Sequence, residues 1–174
     1  VRSRRQRQMC IRDSFKPHNM LELGTSLGIS ACYQFGPNKK ANFTTMEGCP
    51  ETAKVSKSVF SSFNSSEIKM VIGDFKKTLP DTVNSFESID YAFFDGNHQK
   101  QPTIDYFNSC VKKANKDSLF IFDDIHWSVP MEEAWEEIKD HPDVTVTIDL
   151  FWIGLVFFKT DQAKENFIIR TTQY

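Results

Sequence analysis

A short glycine-containing motif near the start of the chain has residue types that could bind a ligand. Residues 21–30 read Leu-Glu-Leu-Gly-Thr-Ser-Leu-Gly-Ile-Ser, which predicts a buried strand, a turn at Gly24 and Gly28, and the start of a helix. Glycines let the backbone turn sharply and let a ligand approach closely. Glu22 is unusual for a phosphate-binding loop with glycines of this kind, because a carboxylate would repel phosphate. We expect it to favour a ligand that carries an ammonium or a sulfonium group.

Acidic residues also follow the next four predicted strands. These strands are expected at 42–46, 68–72, 89–94 and 119–122, and the acids are Glu47, Asp74, Asp95 and the pair Asp123 and Asp124. Open α/β sheets bind ligands at the carboxyl ends of their strands, so we expect these side chains at one edge of a sheet.

Each of these acids also has a purely structural interpretation. Glu47 could stabilise the positive end of the helix that follows it, and Asp74 could cap the next helix. Asp95, Asp123 and Asp124 could likewise cap helices. Both interpretations stay open on the sequence alone.

Strands and helices alternate along the chain, beginning with a strand at 20–23. Helices are predicted at 29–35, 50–63, 75–83, 102–114 and 129–139. The second of these helices should bury one stripe of side chains: Ala53, Val55, Val59, Phe60 and Phe63.

Residues 144–150 alternate apolar and polar, which predicts an edge strand with one solvent-exposed face. Residues 153–158 are apolar throughout, so we expect a central strand that pairs antiparallel with it.

Length and composition fit one domain. The chain has 174 residues, of which 16 are Phe, and no apolar run long enough to span a membrane. Cys32, Cys49 and Cys110 lack metal-type spacing, which is typical of free thiols in the cytoplasm.

Residues 1–14 are expected to be foreign to the fold. Their sequence resembles the in-frame translation of a sequencing adapter, although a basic arm for nucleic acid or an anionic membrane is the alternative. Without their five Arg and one Asp, 16 basic and 22 acidic residues remain, a net charge of −6. An acidic domain has no electrostatic footprint for nucleic acid. We therefore expect one domain at 15–174, truncated at its N-terminus and lacking a lid over the substrate.

With these motifs, residues 20–159 resemble class I S-adenosylmethionine-dependent methyltransferases. The chain is most similar to small-molecule O-methyltransferases of the catechol type, and to bacterial, metagenomic-type relatives with an Asp-Gly-x-His sequence, here residues 95–98. The resemblance implies an α/β fold: a Rossmann-like, seven-stranded, mostly parallel sheet of order 3-2-1-4-5-7-6. Its last strand is antiparallel, and helices cover both faces.

The resemblance also implies a binding site for S-adenosylmethionine (SAM). In the family, the matching loop holds the methionine part, the acid at Glu47 binds both ribose hydroxyls, and Asp74 contacts adenine. The implied cofactor-binding residues are Glu22, Gly24, Thr25, Ser26, Gly28, Ser30, Glu47, Gly48, Asp74, Phe75 and Asp95.

The resemblance implies a reaction centre as well. Asp95, Asp123 and Asp124 match positions that bind Mg²⁺ in metal-dependent relatives, with Asp124 in place of Asn. Such an ion would activate a substrate hydroxyl. Catalytic roles fall to Asp95 and to His98, which stands where those relatives carry a Lys and could act as general base. Alternatively, His98 could orient the substrate or cap a helix, and the three acidic residues could form a cluster that binds no metal.

Three further side chains are expected at the substrate. His126, Trp127 and Trp152 would line its pocket, although Trp127 could instead pack against Trp135. The implied reaction is methyl transfer from SAM to a small molecule, most readily to oxygen. A nicotinamide-dependent oxidoreductase and a non-catalytic binding module are the alternatives. The chain lacks the Gly-x-Gly-x-x-Gly motif that is typical of such an oxidoreductase. We expect no nucleic-acid or membrane partner, and leave a homodimer open.

Overall fold

The computed structural model describes residues 17–36 and 39–170. The predicted foreign tail at 1–14 lies outside these residues. The described chain forms two compact units, the first ending at Phe86 and the second beginning at Glu87. Within the described residues, none of the helices has both the length and the apolar character of a membrane span.

The first unit alternates three strands with three helices. They are β1 (Asn19–Leu23), α1 (Ile29–Phe35), β2 (Asn42–Glu47), α2 (Pro50–Ser62), β3 (Lys69–Ile72) and α3 (Phe75–Asn84). Strand β2 pairs in parallel with β1 on one side and with β3 on the other. The register places Leu23 opposite Met46, and Glu47 opposite Ile72. The carboxyl ends of all three strands therefore lie level with one another.

The second unit contains two strand–helix pairs followed by three strands. They are β4 (Tyr91–Phe94), α4 (Lys100–Val111), β5 (Leu119–Asp123), α5 (Val129–Asp140), β6 (Val146–Asp149), β7 (Ile153–Phe157) and β8 (Glu165–Ile168). Strand β5 pairs in parallel with β4 and antiparallel with β7. Strand β6 pairs antiparallel with β7 and in parallel with β8.

The strand order is β3-β2-β1-β4-β5-β7-β6-β8. It confirms the predicted α/β fold class and the predicted order of the first seven strands. Strand β8 is an addition that the sequence analysis missed. Its four residues, Glu-Asn-Phe-Ile, are all exposed, and they show neither the alternation of a half-buried strand nor an apolar run along the whole strand.

Helix α2 buries a different stripe from the predicted one. Its buried residues are Ala53, Ser56 and Phe60, whereas Val55 and Phe63 are each about half exposed. The Ser56 hydroxyl donates to backbone carbonyls of the preceding turn, at 3.0 and 3.2 Å. Because its hydrogen bond is satisfied locally, this small polar side chain can take a core position that we had assigned to larger apolar ones.

Gly28 is required by the packing of α2. Its φ is +77°, and a Cβ at this position would lie 2.6 Å from Cε1 of Phe60 and 2.9 Å from Cβ of Ser56. Any side chain here would push α2 away from the loop that follows β1. The glycine therefore serves chain packing as well as the turn.

Helix α5 confirms the predicted stripe. Met131, Ala134, Trp135 and Ile138 are all buried. Ser128 is the N-cap, as predicted, and its hydroxyl accepts a hydrogen bond from the backbone N–H of Met131 at 3.4 Å. The Trp135 ring packs against Gly154 so closely that a Cβ there would lie 2.7 Å from the ring.

Strand β6 is not the predicted edge strand with a wet polar face. Strand β8 pairs with it, and its polar residues Thr147 and Asp149 are almost completely buried. The Thr147 hydroxyl donates to Oδ1 of Asn166 at 2.6 Å, and Asp149 accepts several hydrogen bonds described below. Partners from the unforeseen β8 and its C-terminal extension make burial of this polar face possible.

Candidate functional site

The first unit forms a tight loop where β1 ends. Gly24 has φ +101° and Ser26 has φ +49°, so the backbone turns twice through left-handed conformations. The N–H groups of Gly24 and Thr25 both donate to the Met46 carbonyl at 3.0 Å. The loop after β1 is therefore held against the carboxyl end of β2.

Glu22, in β1, lies beneath this loop and is enclosed by protein side chains. Its side chain is fully buried, and it accepts hydrogen bonds from Ser30 Oγ at 2.8 Å, Gln34 Nε2 at 2.8 Å and Thr45 Oγ1 at 2.6 Å. Burial raises the pKa of Glu22 to about 7, although these donors oppose the rise. Glu22 thus fixes α1 and β2 around the loop, and its predicted contact with the cofactor stays a prediction.

Two more predicted cofactor residues turn their hydroxyls inward. The Thr25 side chain is fully buried, and its Oγ1 lies 2.6 Å from Thr45 Oγ1. Ser30 donates its hydroxyl proton to Glu22. These side chains form one internal network, so their contribution is to the shape of the loop. The predicted contacts of Thr25 and Ser30 with the cofactor stay predictions.

Glu47 presents a carboxylate at the end of β2. Its Oε2 accepts from the Ser26 N–H and its Oε1 from the Cys49 N–H, both at 2.8 Å. The neighbouring Gly48 is exposed, and no atom lies within 4 Å of a Cβ built on it. Each carboxylate oxygen has a further lone pair. Glu47 is thus fixed in place and still able to accept from two vicinal hydroxyls in the open space.

Asp74 caps helix α3, as its structural interpretation predicted. Its Oδ1 accepts from the Lys76 N–H at 3.0 Å, while Phe75 is buried. The preceding Gly73 N–H donates to the Glu47 carbonyl at 2.9 Å, which ties the end of β3 to that of β2. The predicted contact of Asp74 with adenine stays a prediction.

These observations fit SAM at the first unit. The open space at Gly48, the exposed Ser26 and the anchored Glu47 offer a cradle without a competing side chain. The residues that could hold the cofactor directly are Ser26, Glu47 and Gly48. Gly24 and Gly28 shape the loop that they share.

In the second unit, His98 lies beside two carboxylates. Its Nε2 is 3.7 Å from Asp95 Oδ1 and 4.0 Å from Asp124 Oδ2. These distances are too long for hydrogen bonds but short enough for electrostatic attraction when the imidazole is protonated. The three side chains are partly exposed. Because Asp95 and His98 are the predicted catalytic residues, we call this group the catalytic cluster.

The predicted Mg²⁺ site is not found. Among the described residues, no three His, Cys, Asp or Glu side chains are grouped so that they could hold a metal ion. Asp123 is the last residue of β5 and is 2% exposed, and its Oδ1 accepts from the Asp124 N–H at 3.1 Å. Asp124 follows the strand with a left-handed φ of +56°, and its side chain is partly exposed beside His98. The two carboxylates therefore lie in different environments.

The predicted substrate residues differ in their surroundings. His126 is held between two carboxylates, with Nε2 2.8 Å from Asp149 Oδ2 and Nδ1 3.0 Å from Glu132 Oε1. Partial burial alone would lower the pKa of His126, but these hydrogen bonds raise it overall. Trp127 is 66% exposed and is not buried against Trp135, contrary to the alternative interpretation.

Trp152 is linked directly to the catalytic cluster. It is 41% exposed, and its carbonyl accepts the Asp124 N–H at 2.7 Å. Its ring meets that of Phe151 edge to face, with centroids 4.9 Å apart. Sequence reasoning missed Phe151, Asp149 and Arg170 at this place. Alternation made Asp149 look solvent-facing, and Arg170 follows the strand that was not foreseen.

Comparison with protein families identifies the first part of the chain. Residues 21–125 match the family model described as a methyltransferase domain. This segment, well over half of the chain, includes the loop after β1, Glu47 and the residues of the catalytic cluster. No curated protein matches the sequence.

Solved structures with similar folds include several methyltransferases. An O-methyltransferase from Bacillus cereus in complex with SAH is 20% identical, with a TM-score of 0.75 over 90% of this chain and 82% of that one. The O-methyltransferase TomG from Streptomyces achromogenes, in complex with SAM, is 16% identical, with a TM-score of 0.77 over 91% and 82%. A putative caffeoyl-CoA O-methyltransferase from Staphylococcus aureus is 15% identical, with a TM-score of 0.78 over 91% and 85%. At these identities the likeness shows a shared fold.

Proposed function

Since the chain belongs to the methyltransferase-domain family, we propose that it moves a methyl group from SAM to an oxygen of a small-molecule acceptor. The observation that carries the proposal is the family match over residues 21–125, which contain both the anchored Glu47 and the His98 cluster. The structures of similar fold crystallised with SAM or SAH support the cofactor, and the O-methyltransferases among them support oxygen as the acceptor atom.

We assign the cofactor to the first unit. Glu47 would accept hydrogen bonds from the two ribose hydroxyls, because two acceptor oxygens match two vicinal donors. The Ser26 and Cys49 N–H groups hold that carboxylate in its orientation. When bound, SAM supplies an electrophilic methyl group. Glu22, Thr25 and Ser30 hold the loop in shape and do not contact the ligand.

We assign proton removal to His98. Its imidazole lies beside Asp95 and Asp124, and it would take the proton from an acceptor hydroxyl. The imidazole becomes positively charged when it takes that proton. Two nearby carboxylates stabilise this charge, which favours proton removal in the transition state. The described residues offer no fitted Mg²⁺ site, so the proposal contains no metal step.

Isotope transfer tests the reaction. Methyl-tritiated SAM is incubated with the chain and a pooled set of hydroxylated small molecules, and labelled products are identified by mass spectrometry and NMR. We expect label on oxygen. His98→Gln should lower the rate 10²–10⁴-fold, on the scale of general-base catalysis. His18→Gln, at an exposed histidine of the first unit, is the matched control and should leave the rate unchanged.

Several results would count against the proposal. Label on nitrogen or carbon would refute oxygen as the acceptor atom, and full activity of His98→Gln would refute its role as base. If EDTA abolished methyl transfer and MgCl₂ restored it, the result would support the predicted role of Asp95, Asp123 and Asp124 as Mg²⁺ ligands. SAM binding without transfer to any compound would favour the non-catalytic module.

A further inference from the structure

We propose that Arg170, which follows β8, is a positioning residue that holds Asp124 in place beside His98. The proposal rests on the proposed function, because it concerns one carboxylate of the catalytic cluster. Arg170 and Asp124 lie 46 positions apart in the sequence. A continuous series of short hydrogen bonds through the turn between β6 and β7 joins them.

The first step links Arg170 to Asp149, the last residue of β6. Arg170 NH1 donates to Oδ1 at 2.8 Å and NH2 donates to Oδ2 at 3.2 Å, a bidentate pair. NH1 also lies 3.1 Å from the Asp149 carbonyl oxygen. The Asp149 side chain is only 7% exposed. A carboxylate buried to this extent needs a paired charge, and Arg170 provides it.

The second step links Asp149 to the turn. Its Oδ1 also accepts the Phe151 N–H at 2.7 Å. Phe151 has φ +74°, a left-handed conformation that costs a bulky residue free energy unless its surroundings impose it. The surroundings are the Asp149 carboxylate, the His126 ring stacked at 5.4 Å and the Arg170 guanidinium 5.5 Å from the ring centroid. Arg170 thus contacts both the carboxylate and the ring that define the turn.

The third step links the turn to the catalytic cluster. The residue after Phe151 is Trp152, whose carbonyl accepts the Asp124 N–H at 2.7 Å. Asp124 also has a left-handed φ, +56°, and its Oδ2 lies 4.0 Å from His98 Nε2. The position of the turn therefore sets the backbone of Asp124, and through it the distance between this carboxylate and the imidazole.

His126 adds a second connection along the same route. It comes from the segment that follows Asp124 and bonds Asp149 at 2.8 Å. Asp149 thus receives hydrogen bonds from Arg170, from the Phe151 backbone and from His126. All of its acceptor positions are used, so removing Arg170 leaves a buried carboxylate without its strongest partner.

Amide hydrogen exchange, followed by NMR on the full-length ¹⁵N-labelled chain, tests this chain of contacts. In Arg170→Met, which keeps the aliphatic stem, we expect the Asp124 amide to exchange at least tenfold faster. The Ile121 amide in the centre of β5 should change less than twofold. Arg170→Lys keeps a charge without the bidentate geometry and should give an intermediate rate. Lys164→Met is the matched control, since Lys164 bonds the His141 carbonyl and, among the described residues, no part of the route from Arg170 to Asp124.

Two exchange results would overturn the proposal. An Asp124 amide that stays protected in Arg170→Met would show that the turn does not depend on Arg170. Equal acceleration at Asp124 and Ile121 would show that Arg170 only stabilises the unit as a whole. If Arg170→Met does not fold, Arg170→Lys is judged by the same comparison of the two amides.

Turnover separates this proposal from the proposed function. With any compound that the wild-type chain methylates, Arg170→Met should lower kcat about tenfold and leave the affinity for SAH unchanged. An unchanged kcat despite a loosened Asp124 amide would overturn the positioning role. If the wild-type chain methylates nothing, the proposed function fails, whereas the exchange comparison still decides how Asp124 is held.

Discussion

Replacing Glu22 by Gln should remove one pH-dependent part of the free energy of unfolding. Burial raises the pKa of Glu22 from 4.5 to about 7. Between these two values the carboxyl group is protonated in the folded chain and ionised in the unfolded chain. The folded state therefore binds one more proton than the unfolded state over this range.

The sign and size follow from proton linkage. Stability falls with rising pH wherever the folded state binds more protons, so the Glu22 contribution is fully present below pH 4.5 and is lost as the pH rises to about 7. A difference of roughly 2.5 pKa units, at about 1.4 kcal/mol each, amounts to about 3 kcal/mol. Above the folded pKa, Glu22 should add no further pH dependence.

Urea unfolding of the wild-type chain and of Glu22→Gln at a series of pH values between about 5 and 8 measures this contribution. Gln has nearly the same shape as Glu. Its carbonyl oxygen can accept from Ser30 and Gln34 while its amide donates to Thr45, which preserves the network. As the pH rises over this range, the free energy of unfolding of Glu22→Gln should therefore fall by about 2–3 kcal/mol less than that of the wild type.

Glu67→Gln provides the control for this experiment, because Glu67 is exposed. It should show the pH dependence of the wild type. The reasoning is refuted if Glu22→Gln keeps the full pH dependence, since Glu22 would then be ionised inside the fold. A Glu22→Gln chain that no longer binds SAH, yet is as stable as the wild type, would show that the carboxylate meets the ligand after all.

Three further substitutions test the packing. Gly28→Ala places a Cβ 2.6 Å from the Phe60 ring at a position with positive φ. It should lower the free energy of unfolding, measured by urea titration, by about 2–4 kcal/mol. A loss below about 1 kcal/mol would contradict the tight contact with α2. Gly154→Ala places a Cβ 2.7 Å from the Trp135 ring, so it should lower Tm and shift the tryptophan fluorescence, and an unchanged emission would count against this contact. Ser128→Ala removes the N-cap of α5 and should cost about 1 kcal/mol, whereas a stability equal to that of the wild type would mean that the cap is not formed in solution.

Much of the fold could be predicted because its signals are local. Strand β1 is largely buried and is followed by a glycine, α5 begins after a Ser N-cap, and β7 is apolar along its length. Such features depend on a few neighbouring residues, so spacing and residue type are sufficient to find them.

What the sequence could not show depends on partners distant along the chain. The buried Asp149 looked solvent-facing because its partner Arg170 lies 21 positions away, after a short exposed strand that was not predicted. Glu22 was expected to meet a ligand because its three internal donors are recognisable only once α1 and β2 are in place. Asp123 and Asp124 looked like a pair, although Asp123 is buried in the strand and Asp124 follows it in a left-handed conformation, partly exposed beside His98.

Calorimetric titration with SAH and with NAD tests the central claim most directly. We predict one SAH site per chain and no heat of binding with NAD. Glu47→Gln should weaken SAH binding at least tenfold, since one charge-assisted acceptor is lost. Glu51→Gln, at an exposed acid of α2, should bind like the wild type. Binding of NAD without binding of SAH, or equal SAH affinity in Glu47→Gln and the wild type, would contradict the account.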